Sequence, residues 1–130
     1  MDMIRDRYNE LFKNGYLTIE SLSRISKINE NEIEKYMLGN YDLSFDDNSR
    51  ITMISGMLCE GMQLVEDDDR INAIIDVLKD EYKMDNRSIS YYVGIAQEKL
   101  EMFIDKPSAI SFEDKYKIAV RVSILNYFFK

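Results

Sequence analysis

The chain has 130 residues, 45% of them apolar and 32% charged, with one proline, five glycines, one cysteine and no histidine. That size and apolar content allow a sizeable core and argue against disorder. The residue types missing exclude an internal disulfide framework, histidine-based nucleophilic triads and the usual zinc sites.

The first predicted helix runs from about Asp2 to Asn14, with Ile4, Tyr8, Leu11 and Phe12 at helical spacing and Gly15 supplying a left-handed stop. Thr18 is expected to cap a short helix carrying Ile19, Leu22 and Ile25. Asn29 caps the next, which carries Ile33, Tyr36 and Met37 and ends at Gly39-Asn40. Ser44 opens a fourth helix beside Phe45, and its first turn carries Asp46 and Asp47, where the helix dipole favours negative charge. From Ile51 to Val65 that helix is apolar nearly all round, as is its counterpart over 118–129, so each is expected to be covered on every side: Met53, Met57 and Met62 are either core or, with Tyr127, Phe128 and Phe129 as anchors, part of a homodimer or partner surface, and Cys59 is expected to be an inert buried thiol. Glu66-Asp67-Asp68-Asp69 reads as an acidic linker that ends by capping the following helix; it lacks the alternating spacing of a calcium loop. Four more helices are predicted over 69–82, 86–93, 97–105 and 111–129, with Pro107 in a loop.

These eight helices form two sets. At a constant offset of 67 residues Ser21-Leu22-Ser23 meets Ser88-Ile89-Ser90, Ile28 meets Ile95, Ile33 meets Leu100 and Tyr36 meets Phe103. Leu43-Ser44-Phe45-Asp46-Asp47 then meets Ile110-Ser111-Phe112-Glu113-Asp114, and Ile51 meets Ile118. A gapless register over about half the chain predicts a duplication, with repeats at 1–66 and 67–130. The fold class expected is all-α: two tandem helix-turn-helix units of about four helices each, packed through their last helices.

Leu22-Ser23-x-x-x-Lys27-Ile28-Asn29-x-x-x-Ile33 and Ile89-Ser90-x-x-x-Gly94-Ile95-Ala96-x-x-x-Leu100 resemble the helix-turn-helix of repressor-like DNA-binding domains, of the phage repressor and Cro type. In such domains a small residue lets two helices meet closely, and glycine accepts the positive φ of the turn. Gly94 matches that pattern and Lys27 departs from it. The resemblance implies major-groove contact by the third helix of each unit, through Asn29, Glu30, Asn31 and Glu34 in the first, and Ala96, Gln97, Glu98 and Glu101 in the second.

The charges argue against ordinary groove binding. The net charge is -7, with 7 Lys/Arg against 12 Asp/Glu over 1–66 and 10 against 12 over 67–130. Groove-reading helices normally present arginine and lysine to phosphates. Here Asn31 lies among Glu30, Glu32 and Glu34, and Gln97 beside Glu98 and Glu101. A carboxylate about 4 Å from a phosphate costs on the order of 1 kcal/mol even in water. The basic residues that could compensate are Arg24, Lys27 and Lys35 around the first motif, and Arg87, Lys99 and Lys106 around the second, with Lys117 and Arg121 one turn apart on the last helix.

Two functions therefore stay open. One is a DNA-binding transcriptional regulator of bacterial or phage type. The other is an acidic protein-interaction module, or DNA mimic, that kept the fold without DNA contact; a protein partner or homodimer fits either. Neither requires a cofactor, metal, small-molecule substrate or catalytic residue, and a membrane role is not expected. With no run of 18 apolar residues and no signal-peptide core, a cytoplasmic protein is expected.

Overall fold

The computed structural model describes residues 3–130, and those residues form helices and turns with no β-strand. They divide into two compact units, one ending at Leu64 and one running from Val65 to Lys130.

In the first unit, α1 (Met3–Lys13) buries Tyr8, with Ile4, Leu11 and Phe12 packed around it. Asp2, expected in this helix, lies outside the described residues. The Tyr8 ring stacks on Phe12 with centroids 6.1 Å apart, and its hydroxyl donates to the Ile51 carbonyl at 2.5 Å. Gly15 takes φ +75° and ends the helix. α2 (Ile19–Ser26) starts where Thr18 Oγ1 accepts from the Ser21 amide at 3.0 Å, and α3 (Glu30–Met37) where Asn29 Oδ1 accepts from the Asn31 amide at 2.8 Å. α4 (Phe45–Gly56) is capped by Ser44, runs into a π-helical turn over Met57–Gly61 and finishes in the three-residue α5 (Met62–Leu64). Leu17, Leu22, Ile28, Ile33, Tyr36 and Ile51 join Tyr8 in the core.

The second unit has the same order. α6 (Asp67–Asp80), α7 (Asn86–Val93), α8 (Gln97–Asp105) and α9 (Phe112–Phe129) surround Ile75, Leu78, Ile89, Val93, Leu100, Phe103, Ile118 and Val122. The bounds of α7 are those of α2 moved by 67 residues, and α3 and α8, like α4 and α9, begin at that same offset. Core positions follow: Tyr8 and Ile75, Leu22 and Ile89, Ile33 and Leu100, Tyr36 and Phe103, Ile51 and Ile118 are each fully or nearly fully buried. Pro107 begins a short 3₁₀ turn, Pro107–Ala109, where its missing amide hydrogen is harmless.

Several expectations are corrected. Within its own unit neither closing helix is enclosed: α4 buries Ile51 and Ser55, and α9 buries Ile118 and Val122. Met53, Met57 and Met62 are 68%, 47% and 75% exposed rather than core. Apolar content alone does not choose a face; the i, i+4 pairs that meet the core do. Cys59 is half-buried in the π-helical turn rather than fully enclosed. Asp67, Asp68 and Asp69 are not a linker but the first turn of α6, and Glu66 makes no side-chain cap bond. Their charge meets the dipole there, and Asp68 accepts from Lys115 Nζ at 3.1 Å.

Candidate nucleic-acid interface

The second and third helices of each unit meet at a tight turn whose geometry decides what α3 and α8 present. In the second unit the turn residue is Gly94, at φ +80°, and its amide donates to the Ser90 carbonyl at 2.9 Å. In the first it is Lys27, at φ +62°, with its amide on the Ser23 carbonyl at 2.8 Å. A lysine thus holds the left-handed conformation that glycine holds in the other unit, at a steric cost of roughly 1–2 kcal/mol. Ser23, the small residue of the motif, also donates from Oγ to the Ile28 carbonyl at 2.5 Å across the turn.

An arginine from the closing helix secures each turn. Arg50 Nε donates to the Ser26 carbonyl at 3.0 Å, and Arg121 donates to the Val93 carbonyl at 2.7 Å. Ser26 and Val93 occupy the same position in the two units, as the last residue of α2 and of α7. The arginines do not: Arg50 stands at the register of Lys117, and Arg121 at that of Ile54. One orphan helix-end carbonyl is satisfied from one turn above in one unit and one turn below in the other. Sequence alignment hides this, because neither arginine faces an arginine in the 67-residue register.

Eleven of the residues singled out from the sequence are exposed, Arg24, Lys27, Asn29, Asn31, Glu34 and Lys35 in the first unit and Arg87, Gln97, Glu98, Lys99 and Glu101 in the second; so are Lys106 and Arg121, whereas Lys117 is half-buried. They are not equally available. Asn29 is occupied as the α3 cap. Arg24 pairs with Glu20 at 3.2 Å along α2, and Lys35 Nζ lies 5.8 Å from the Tyr41 ring centroid. Lys99 Nζ is 3.0 Å from Asp114, whose carboxyl the lysine hydrogen bond holds below the usual carboxylate range. The Glu101 carboxylate collects two amides, Asn86 Nδ2 at 3.3 Å and Gln97 Nε2 at 3.4 Å. Gln97 is therefore partly engaged within its own unit, whereas Asn31 offers its side chain outward between exposed Glu30 and Glu34.

Beside each turn lies an open cleft. In the first unit Ser23, Arg24, Lys27, Ile28 and Asn29 line it; in the second, Arg87, Ser88, Ser90, Tyr91, Tyr92 and Ile95 do so with Asp85. Tyr91 takes the place of Arg24, so the second cleft is aromatic where the first is basic; the two rings, 5.3 Å apart and edge-on, were not anticipated from the sequence. Asp85 caps α7 by accepting from the Ser88 amide at 2.8 Å, and that bond lowers its pKa. A fixed carboxylate at this helix start disfavours a phosphate there.

No group of histidine, cysteine, aspartate or glutamate side chains that could hold a metal occurs among the described residues. None of the described helices is long and apolar enough to cross a membrane. A family model described as "Helix-turn-helix domain" matches residues 1–130. No curated protein and no solved structure matches the chain.

Proposed function

We propose a DNA-contacting regulator: the chain belongs to the helix-turn-helix domain family, and α3 and α8 are the helices through which it would meet the major groove. It acts without catalysis or cofactor, in the cytoplasm, as a tandem of two copies at 1–66 and 67–130 of a repressor-like unit. The observation that carries this reading is the repeated presentation of the third helix. Each starts three residues beyond a left-handed turn residue, each turn is held by a closing-helix arginine, and each buries two residues at the same places, Ile33 and Tyr36 or Leu100 and Phe103, while its outer residues stay exposed.

Base reading would fall to Asn31 and Gln97, whose amides can pair with adenine, while Glu34 or Glu101 can accept from a cytosine amino group. Phosphate contact would come from Arg24, Lys27, Lys35 and Arg87. With so few cations beside so many carboxylates, affinity for random DNA is expected to be weak and its salt slope shallow, roughly 0.9 per phosphate neutralised.

A second reading, an acidic protein-interaction module or DNA mimic, is favoured by one observation. Glu30, Glu34 and Glu98 are exposed with no basic partner among the ion pairs of the described residues, and Gln97 is committed to Glu101. A gel-shift series with random and genomic duplexes at low salt separates the two. Retardation that weakens as salt is added supports DNA contact; no retardation at tens of micromolar protein contradicts it and leaves the acidic module.

A further inference from the structure

Each third helix opens on one acidic and one amide side chain, and the two units set them in opposite order. α3 begins Glu30-Asn31 and α8 begins Gln97-Glu98, at matching positions in the 67-residue register, and all four residues are exposed. A shift of helix bounds does not explain the exchange, because each helix starts three residues after its left-handed turn residue, Lys27 or Gly94. One step along an α-helix turns a side chain by about 100° and advances it by about 1.5 Å. Where the first unit aims an amide, the second therefore aims a carboxylate, and the reverse holds one residue earlier. The surroundings differ as well: Arg24 and Lys27 stand where the second unit has Tyr91 and Gly94.

We propose that one chain reads an asymmetric duplex of two unlike half-sites, one through Asn31 and the other through Gln97, rather than a palindrome or a repeated block.

The inference rests on the DNA-contacting reading above and specifies its substrate. A side-chain amide donates to adenine N7 and accepts from the N6 amino group, whereas a carboxylate only accepts and suits the cytosine amino group. Two units docked alike on identical half-sites would set one amide on adenine and one carboxylate against adenine N7, acceptor facing acceptor. The bond to Glu101 does not withdraw Gln97 from this role. An amide nitrogen carries two hydrogens, and the one not donated to Glu101 at 3.4 Å remains for N7. Palindromic operators mirror two-fold dimers, in which both reading helices are the same residues. Here the same chain supplies the second helix. Only Val65 and Glu66 separate α5 from α6, so the second unit accompanies the first at high effective concentration. No two-fold symmetry obliges the two helices to stay alike.

Enrichment of a random-sequence duplex library by the full chain at low salt is the test. The enriched duplexes are expected to carry two short blocks of different sequence without dyad symmetry. Native mass spectrometry is expected to show one 15.4 kDa chain per duplex. Asn31→Ala and Gln97→Ala, both at exposed positions, are expected to relax base preference about 5- to 150-fold, each in one block and not the other. The double exchange Glu30→Gln with Asn31→Glu gives α3 the order of α8 and is expected to shift the first block toward the second. A palindrome, two identical blocks, a single block or two chains per duplex overturns the inference and leaves DNA contact standing. So does loss of preference in the same block from both alanine variants. No retardation of the library at tens of micromolar protein instead removes DNA contact, and this inference with it.

Discussion

Replacing Gly94 by alanine tests the turn on which the presentation of α8 depends. At φ +80° an L-residue costs about 1–2 kcal/mol, and the stiffer unfolded chain offsets about 0.4–1 kcal/mol of that. A Cβ built there lies 2.7 Å from an Arg121 guanidinium nitrogen, the group that donates to the Val93 carbonyl. The guanidinium must move, which forfeits part of a charge-assisted hydrogen bond; near the surface that loss is about 0.5–1 kcal/mol. The total for Gly94→Ala is a destabilisation of about 1–2 kcal/mol confined to the second unit. Hydrogen exchange read by mass spectrometry is the assay, because it reports α7–α9 and α2–α4 separately. Exchange in α7–α9 is expected to quicken about 5- to 30-fold, each factor of ten being about 1.4 kcal/mol, while α2–α4 stays unchanged. In an Arg121→Ala background the cost should shrink toward the backbone part alone. A neutral or stabilising Gly94→Ala, or an equal cost in both backgrounds, would refute the reasoning.

Leu22→Ala and Ile89→Ala remove fully buried side chains at matching positions and should each cost about 2–5 kcal/mol. In units this small that is enough to open the altered unit, seen as lost amide protection on one side of Leu64 only. Tyr8→Phe removes the hydroxyl bonded to the Ile51 carbonyl and should lower stability by about 1 kcal/mol in urea titrations at neutral pH. Burial, reinforced by Tyr36 and Cys59, raises the Tyr8 pKa, so the native state keeps its proton where the unfolded chain loses it. That contribution is whole below about pH 10 and fades as pH rises beyond it. The alkaline loss of stability should therefore be shallower in Tyr8→Phe than in the wild type; equal slopes would contradict the assignment.

How much of this was legible in the sequence depended on whether the signal was local. The caps Thr18, Asn29 and Ser44 use small polar side chains whose role is set within three residues, so all three fall where expected. The all-α class and the bounds of α7 and α8 follow from the same local patterns. Asp85 was missed as a cap because the neighbouring Asn86 is an equally good one by type. Lys27 shows the limit from the other side. Nothing in a lysine announces a left-handed turn; only its alignment with Gly94 points to one.

What could not be read were tertiary choices. Arg50 and Arg121 look like scattered surface charges until the fold brings each to the end of a helix half the unit away. The closing helices are apolar on several faces, and composition cannot say that Ile118 and Val122 face inward while Ile124 and Phe128 do not. The π-helical turn at Met57–Gly61 has no counterpart in α9 and no distinctive local residue. For the interface residues the sequence could name types and positions, but not that Glu101 would draw the Gln97 amide toward itself or that Lys99 would be spent on Asp114.

The most direct measurement is a titration of the isotope-labelled full chain with a retarded duplex, followed by backbone amide shifts in NMR spectra. Contact through the third helices predicts the largest shifts at Asn31 and Gln97 and their neighbours in α3 and α8, and little change along the outer face of α9. Shifts centred on another surface, or none at duplex concentrations that saturate a gel shift, would contradict the account.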